Sequence, residues 1–513
     1  MVVFPDGRGD INIVDGQQRL TTITIALCAL RDIFHNEGLE QLALGAQSLI
    51  EKVNVNNEGR FVLSTESSYP FFQNRILSYG NRPAVPVEVG PEEQNIQIAY
   101  DSLIVYINSS IANLRDHGTL SVEQKREQIS ARLTAIRDKV LSLKLILVEL
   151  REEDDAYVIF ETLNTRGKDL SVSDLLRNFF TRHIRPANQE VDTARIQWQN
   201  ILVIINESSA ELNVDTYLHH QWLSRRGHIT VRELFRSIKR EIRGVDIQSY
   251  LDELGRDVGI YRQIHETTYV SWTVQERGIE NSLNAIQLFR VRQQTPFVLA
   301  LLREYRAATL RIPHVASMLQ ALENFHFLFN AVSQQRSSGG ISKMFVSSAI
   351  QLDRAPNVQR KQAVIRDLMT KLRERVPPLD VFKATFRQIL FTNTITKNKA
   401  LTRYILSKID ALARPGVVVD YSAMTVEHLY AQHPPANPMP EEIIGMLGNL
   451  ILVDAPLNDR LANRPVIEKI AILREAGYPL DDILANAGDF NQDVIERRTD
   501  YLAEDAYQRI WHV

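Results

Sequence analysis

The chain has 513 residues, 44% hydrophobic and 24% charged, the profile of a folded soluble protein of two to four domains. With 59 basic and 62 acidic residues its net charge is −3, which excludes a global basic field for nucleic acid and leaves only local patches to do that work. One cysteine, Cys28, excludes an internal disulfide framework and fits a reducing compartment.

The N-terminal stretch "MVVFPDGRGD" lacks the basic head and long apolar core of a signal peptide, and no apolar run is long enough to span a bilayer. These features predict a cytoplasmic protein with no membrane partner. Ile11 to Val14 reads as a short strand. It feeds "DGQQR" and then a helix, because Leu20, Ile23, Leu27, Leu30 and Phe34 recur at spacings of three and four. Cys28 lies inside that run and is expected to be buried packing. "NRPAVPVEVGPEE" (81–93) reads as a loop or edge strand. A helix is predicted over Val122 to Leu141, then a strand over "LKLILVEL" (143–150). "DDAYVIFETLNTRGKDLSVSDLLRNFF" reads as helix, tight turn, helix. Gly167 suits the position after the first helix, and Ser171 with Asp174 forms a capping-box pattern opening the second. The acidic "REEDD" (151–155) reads as solvated charge ahead of a helix, not as a metal site.

From about Ala187 to Phe391 the pattern is helical, with breaks at "SQQRSSGG" (333–340) and "VPPLD" (376–380). Arg232, Arg236, Lys239, Arg240 and Arg243 fall on one side of a helix, and Leu234, Phe235, Ile238 and Ile242 on the other. Such a stripe can follow a phosphate backbone, and it is equally an ordinary amphipathic helix with a solvated basic face. His219 and His220 lack a matching ligand cluster. "LENFHFLF" (322–329) reads as core and not as a base-stacking platform. Beyond "ARPGVVVD" (413–420), the last hundred residues read as a small α+β unit. Its strand "VVVDYSAMTVEHL" ends in Glu427-His428, a proline-rich loop follows, and then "GNLILV", Asn458, Asn463 and a helix through Lys469.

Two constellations carry chemistry. In "VDGQQRLTT" a strand ends, Gly16 permits a sharp turn and a helix begins. Backbone N–H groups at a helix start attract anions, and Arg19 adds a guanidinium clamp. Gln17 and Gln18 offer neutral donors and acceptors, and Asp15 an acceptor. A capped turn with Arg19 in an ion pair accounts for the same residues. "NTRG" again places an amide (Asn164), a guanidinium (Arg166) and a flexible backbone (Gly167) in one turn. No Walker A sequence occurs. The second constellation is Glu427, His428, Asn449 and Asn458. A histidine near neutral pKa suits the activation of water, and a carboxylate with an amide oxygen suits Mg²⁺ or Mn²⁺. A structural hairpin with a satisfied histidine is the plainer alternative.

"DGQQRLTT" and "FxxLNxRGxxLxxxDLLxN" resemble the N-terminal domain of GmrSD-type modification-dependent (type IV) restriction endonucleases, which is related to the ParB/sulfiredoxin fold. The C-terminal stretch is similar to the HNH-type nuclease domain of the same family. The resemblance implies a mainly α chain with small α+β units: a ParB/sulfiredoxin-like NTP-binding domain (1–186), a helical connecting domain (187–391) and an HNH domain of ββα-metal type (392–513). It implies an NTP site at Asp15, Gly16, Gln17, Gln18, Arg19, Asn164, Arg166 and Gly167, with Asp174 and Asn178 capping and packing. It makes His428 the general base, Asn449 an orienting residue, and Asn458 and Glu427 ligands of Mg²⁺ or Mn²⁺. Asn463 and Lys469 would contact DNA, joined by Arg232, Arg236 and Arg240.

The implied activity is NTP-regulated, metal-dependent cutting or nicking of foreign, modified DNA in defence against phage, with a homo-oligomer left open. Two departures stand out. Family members carry several tens of residues before the DGQQR strand, so the first lobe is expected to be shortened here. Ala431 replaces the proline of the family's H-x-x-P-Q pattern. A DNA- or nucleotide-binding regulator with a degenerate nuclease, or an NTPase module acting through a partner, remain alternatives.

Overall fold

The computed structural model describes residues 1–5, 10–53, 58–65, 68, 70–80, 90–150, 171–184, 193–333, 339–432 and 439–513. Helices dominate and the sheets are small, the mainly α architecture with α+β units that the sequence predicts. The chain divides into two units, Met1–Arg185 and Pro186–Val513.

In the first unit, β1 (Val2–Pro5) pairs antiparallel with β2 (Ile11–Asp15), and β2 leads into α1 (Gln17–Asn36). The apolar face of α1 buries Leu27, Leu30 and Phe34 as its periodicity requires, and Cys28 is fully buried among them. Around α1 pack α2 (Glu40–Ile50), α3 (Pro91–Arg115) and α4 (Val122–Leu141). Between α2 and α3 lie the hairpin of β3 (Glu51–Val53) with β4 (Gly59–Phe61) and one π-helical turn, Phe72–Leu77. Arg31 of α1 is completely buried. It donates to the carbonyls of Leu77 (2.6 Å) and Ile76 (3.0 Å), which end that π turn, and its charge is met by Asp32 at 2.8 Å. The guanidinium thus satisfies carbonyls that a helix end leaves without partners.

Two expectations change here. Pro91–Glu93 is not loop or strand but the first turn of α3, with proline at its start and Glu92 and Glu93 at its positive end. The strand expected over 143–150 shrinks to β5 (Val148–Glu149), which pairs parallel with β1 through only Val2 and Val3. Leu143, Leu145, Ile146 and Leu147 stay exposed, since an alternating apolar pattern becomes a strand only where a partner edge exists. The capping box is as expected: Ser171 and Asp174 open α5 (Val172–His183) with reciprocal bonds. The stretch carrying the NTRG turn lies outside the described residues.

The second unit begins with helices α6 (Thr193–Asn206), α7 (Val214–Leu223), α8 (Val231–Glu241), α9 (Asp246–His265), α10 (Arg277–Leu288) and α11 (Thr295–Arg306). They continue through α12 (Ile312–His326), α13 (Gly339–Asp353), α14 (Val358–Arg373), α15 (Leu379–Phe386) and α16 (Lys399–Ala413). "LENFHFLF" is core, with Phe325 and Phe327 wholly buried.

The strand expected from Val417 shortens to β6 (Thr425–His428), and Val418 is 96% exposed. There follow α17 (Glu441–Ile444), β7 (Leu450–Val453), α18 (Ala455–Leu461), α19 (Val466–Glu475), α20 (Asp482–Ala485) and α21 (Gln492–Asp505). Residues on both sides of position 391 share this unit. Trp511 explains how: its ring stacks on Phe327 at 3.8 Å, and its indole N–H donates to the Tyr404 hydroxyl at 2.8 Å. That hydroxyl in turn donates to the buried Glu323 at 2.6 Å. A large aromatic stacked on one face and hydrogen-bonded at its polar edge joins the C-terminal segment to the helical layer.

Candidate active site

β6 and β7 form an antiparallel pair in which His428 faces Leu450 and Glu427 faces Ile451. β7 is buried along its whole length, so it anchors β6 firmly. The ladder is extended by the Leu429 N–H, which donates to the Asn449 carbonyl at 2.9 Å.

His428 is only 6% exposed. Its Nε2 lies 2.9 Å from the Phe391 carbonyl and its ring stacks on the Phe391 ring, while Nδ1 lies 3.2 Å from the Gln432 side-chain nitrogen. A carbonyl can only accept, so Nε2 carries the proton and Nδ1 the lone pair. Burial pushes the imidazole pKa below its usual value; the bond to Phe391 opposes this and the Lys469 ammonium adds to it. The ring is therefore a neutral base with its lone pair at Nδ1.

Asn449 is completely buried. Its side-chain oxygen accepts from the Tyr430 N–H (2.7 Å), and its amide nitrogen donates to the carbonyls of Tyr430 (3.0 Å) and Ile444 (2.8 Å). All three bonds go to backbone, so Asn449 orients the chain just after His428. Gly448 beside it has its own reason. A Cβ there would collide with Ile495 and Thr499 of α21, whose hydroxyl accepts from the Gly448 N–H at 3.0 Å.

Lys469, expected at a phosphate, is instead 1% exposed. Its ammonium donates to Glu427 (2.6 Å) and to the His428 carbonyl (2.7 Å). In this arrangement it clamps the Glu427-His428 pair from behind and offers nothing to DNA. Asn458 sits half-buried on α18, which packs against β6 and is capped by the Asp454 carboxylate accepting from the Leu457 N–H. Asn463 is exposed beyond the end of that helix.

The basic stripe on α8 keeps Arg232, Arg236 and Arg240 exposed and buries Leu234 and Ile238; Arg243, also exposed, lies beyond the end of the helix at Glu241. Arg240 lies 3.1 Å from Glu241, both exposed, a contact of little energetic weight. His219 and His220 are satisfied histidines: one meets the Ile229 carbonyl at 2.8 Å, the other the Tyr261 hydroxyl at 3.2 Å. Among the described residues no three of His, Cys, Asp and Glu gather around a point that could hold a metal.

In the first unit, Gly16 takes a left-handed conformation at the start of α1, where a Cβ would sit 2.6 Å from the Met1 Cγ. Gln17, Gln18 and Arg19 are exposed on the first turn, which carries no acidic residue. Gln17 donates back to the Ile13 carbonyl at 2.8 Å. The side chain of Asp15, and Asn164, Arg166 and Gly167, lie outside what is described.

Sequence reasoning missed Phe391, Asn393 and Gln432. Gln432 stood in view four residues after His428. Phe391 and Asn393 have no local signal, because they meet this site from across the fold.

The family model for the GmrSD restriction endonuclease N-terminal domain matches residues 1–181. That for the C-terminal domain of GmrSD restriction endonucleases matches residues 377–505 and so contains the whole β6–β7 site. No curated protein matches the chain. With the two matches together spanning more than half of its length, and lying in the family's order, the chain belongs to the GmrSD restriction endonuclease family.

Proposed function

We propose that this chain is an HNH-type, divalent-metal-dependent DNA endonuclease or nickase, controlled by a nucleoside triphosphate bound to its N-terminal domain and directed against foreign, modified DNA such as that of phage. The observation that carries this reading is the state of His428. It is neutral, its proton is fixed on Nε2 by the Phe391 carbonyl, and the lone pair left to take a proton from water is the one at Nδ1, met in this structure by the Gln432 carboxamide.

Asn449 holds the backbone beyond the base, and Lys469 holds the Glu427 carboxylate beside it. The donor chemistry fits Mg²⁺ or Mn²⁺. Mg²⁺ takes one or two carboxylates and completes its shell with water and phosphate. Glu427, through the oxygen Lys469 does not hold, and Asn458 would carry the ion. It would supply stabilisation of the negative charge that develops on the phosphate. For the nucleotide, the first turn of α1 offers helix-start N–H groups and the exposed side chains of Gln17, Gln18 and Arg19.

The test is nicking of supercoiled plasmid, modified and unmodified, with and without Mg²⁺ and NTP. Metal-dependent products are expected from wild type and none from His428→Ala. Identical products from the two proteins would refute the nuclease reading. DNA bound but uncut by wild type would favour the regulatory alternative. NTP hydrolysis unchanged in Arg19→Ala would remove the DGQQR turn from the nucleotide site.

A further inference from the structure

Gln432 is joined to the site from two sides. Its side-chain oxygen accepts from the Asn393 backbone N–H at 2.8 Å. A backbone N–H can only donate, so the carboxamide cannot be flipped, and its NH₂ group must face His428 Nδ1. The bonds then form one directed chain. Asn393 N–H donates to the Gln432 oxygen, Gln432 N–H to His428 Nδ1, and His428 Nε2–H to the Phe391 carbonyl. Both ends of the chain rest on one short segment. That segment is fixed by the Phe391 N–H donating to the Gly445 carbonyl at 2.9 Å and by the buried Thr392, whose hydroxyl donates to Glu441 at 2.7 Å. Among the described residues, the charged groups beside His428, Lys469 and Glu427, are paired with each other.

We propose that Gln432 is a positioning residue for the His428 base: anchored by the Asn393 backbone, its carboxamide reinforces the Nε2–H tautomer that Phe391 sets and caps the Nδ1 lone pair until water takes its place. This rests on the nuclease reading of His428. The capped geometry also gives Gln432 a second duty, because the NH₂ group occupies the position from which a water would hand over its proton. The side chain must leave Nδ1 for the base to act, and it returns to protect the tautomer after each turnover.

The proposal is tested by nitrogen NMR of selectively ¹⁵N-histidine-labelled full-length protein at one neutral pH, with the His428 signals assigned by their loss in His428→Gln. Wild type should show a protonated Nε2 and an unprotonated Nδ1. Gln432→Glu replaces the donor with an acceptor, and its His428 should show a protonated Nδ1. Its nicking kcat should fall by about a hundredfold, the scale of losing a positioned base, with KM unchanged. Gln432→Leu should keep the wild-type tautomer, since Phe391 still accepts from Nε2, and should retain more activity than Gln432→Glu. A protonated Nδ1 in wild type, or an unprotonated Nδ1 in a folded Gln432→Glu, would overturn the proposal. The NMR arm needs no activity, so an inactive wild type with the expected tautomer would sink the nuclease reading and leave the clamp standing.

Discussion

Replacing Asn449 with alanine removes three hydrogen bonds at one stroke, those made to the Tyr430 N–H and to the carbonyls of Tyr430 and Ile444. Leaving a buried polar group unsatisfied costs roughly 1–3 kcal/mol. Tyr430 is half-buried, so water can reach part of what it loses, and carbonyls tolerate undersatisfaction better than N–H groups. The low end of the range for each group gives a loss of about 3 kcal/mol for the C-terminal unit.

Activity should suffer separately. Tyr430 lies midway between His428 and Gln432, and Ile444 adjoins Gly445, whose carbonyl fixes Phe391. One side chain therefore tethers both groups that flank the imidazole. Displacing a reacting group by about 1 Å costs on the order of a hundredfold in rate. Urea denaturation followed by tryptophan fluorescence reads the first effect, and plasmid nicking under folding conditions reads the second. If Asn449→Ala shifts the unfolding free energy by less than about 0.5 kcal/mol, the range of an ordinary surface change, then Asn449 is not the tether the geometry makes it.

Gly448→Ala should destabilise by about 1–3 kcal/mol, the usual cost of overpacking, because the new Cβ would lie 2.8 Å from the Thr499 backbone nitrogen and α21 would have to retreat; a melting temperature equal to wild type would contradict this. Burial lowers His326 and His265 to about 4 and His220 to about 3. These groups are neutral in the fold but gain protons when unfolded, so their stabilisation is full above about pH 6.5 and is lost as pH falls towards 4. Each adds roughly 1.4 kcal/mol per pH unit to the slope in that window. His326→Gln should flatten the measured stability–pH curve between those limits, and an unchanged slope would refute the assignment.

Much of the local structure was legible in the chain. The periodicity of Leu20 to Phe34 produced α1, the limits of α4 fall where the pattern placed them, and Ser171 with Asp174 capped α5. These features depend on neighbours three or four residues apart, so the sequence contains their whole cause. Strands were read less well. "LKLILVEL" and "VVVDYSAMTVEHL" have the right composition, yet only Val148–Glu149 and Thr425–His428 pair. A strand needs an edge supplied from elsewhere, and composition does not say whether one is there.

The site divides along the same line. Their order and kind suggested Glu427, His428, Asn449 and Asn458 as one candidate set. What each side chain meets was not. Lys469 was expected at DNA, but it folds beneath β6, because its position on α19 faces the core, where an ion pair with Glu427 and a bond to the His428 carbonyl make that burial tolerable. The tautomer of His428 depends on Phe391, 37 residues away, and the orientation of Gln432 on Asn393, 39 residues away. The sequence alone determined which chemical groups this protein carries and on which helices and turns. Only the tertiary structure decided which nitrogen of His428 holds the proton, because a hydrogen bond is directional and its partner here arrives from a distant segment that no local pattern marks.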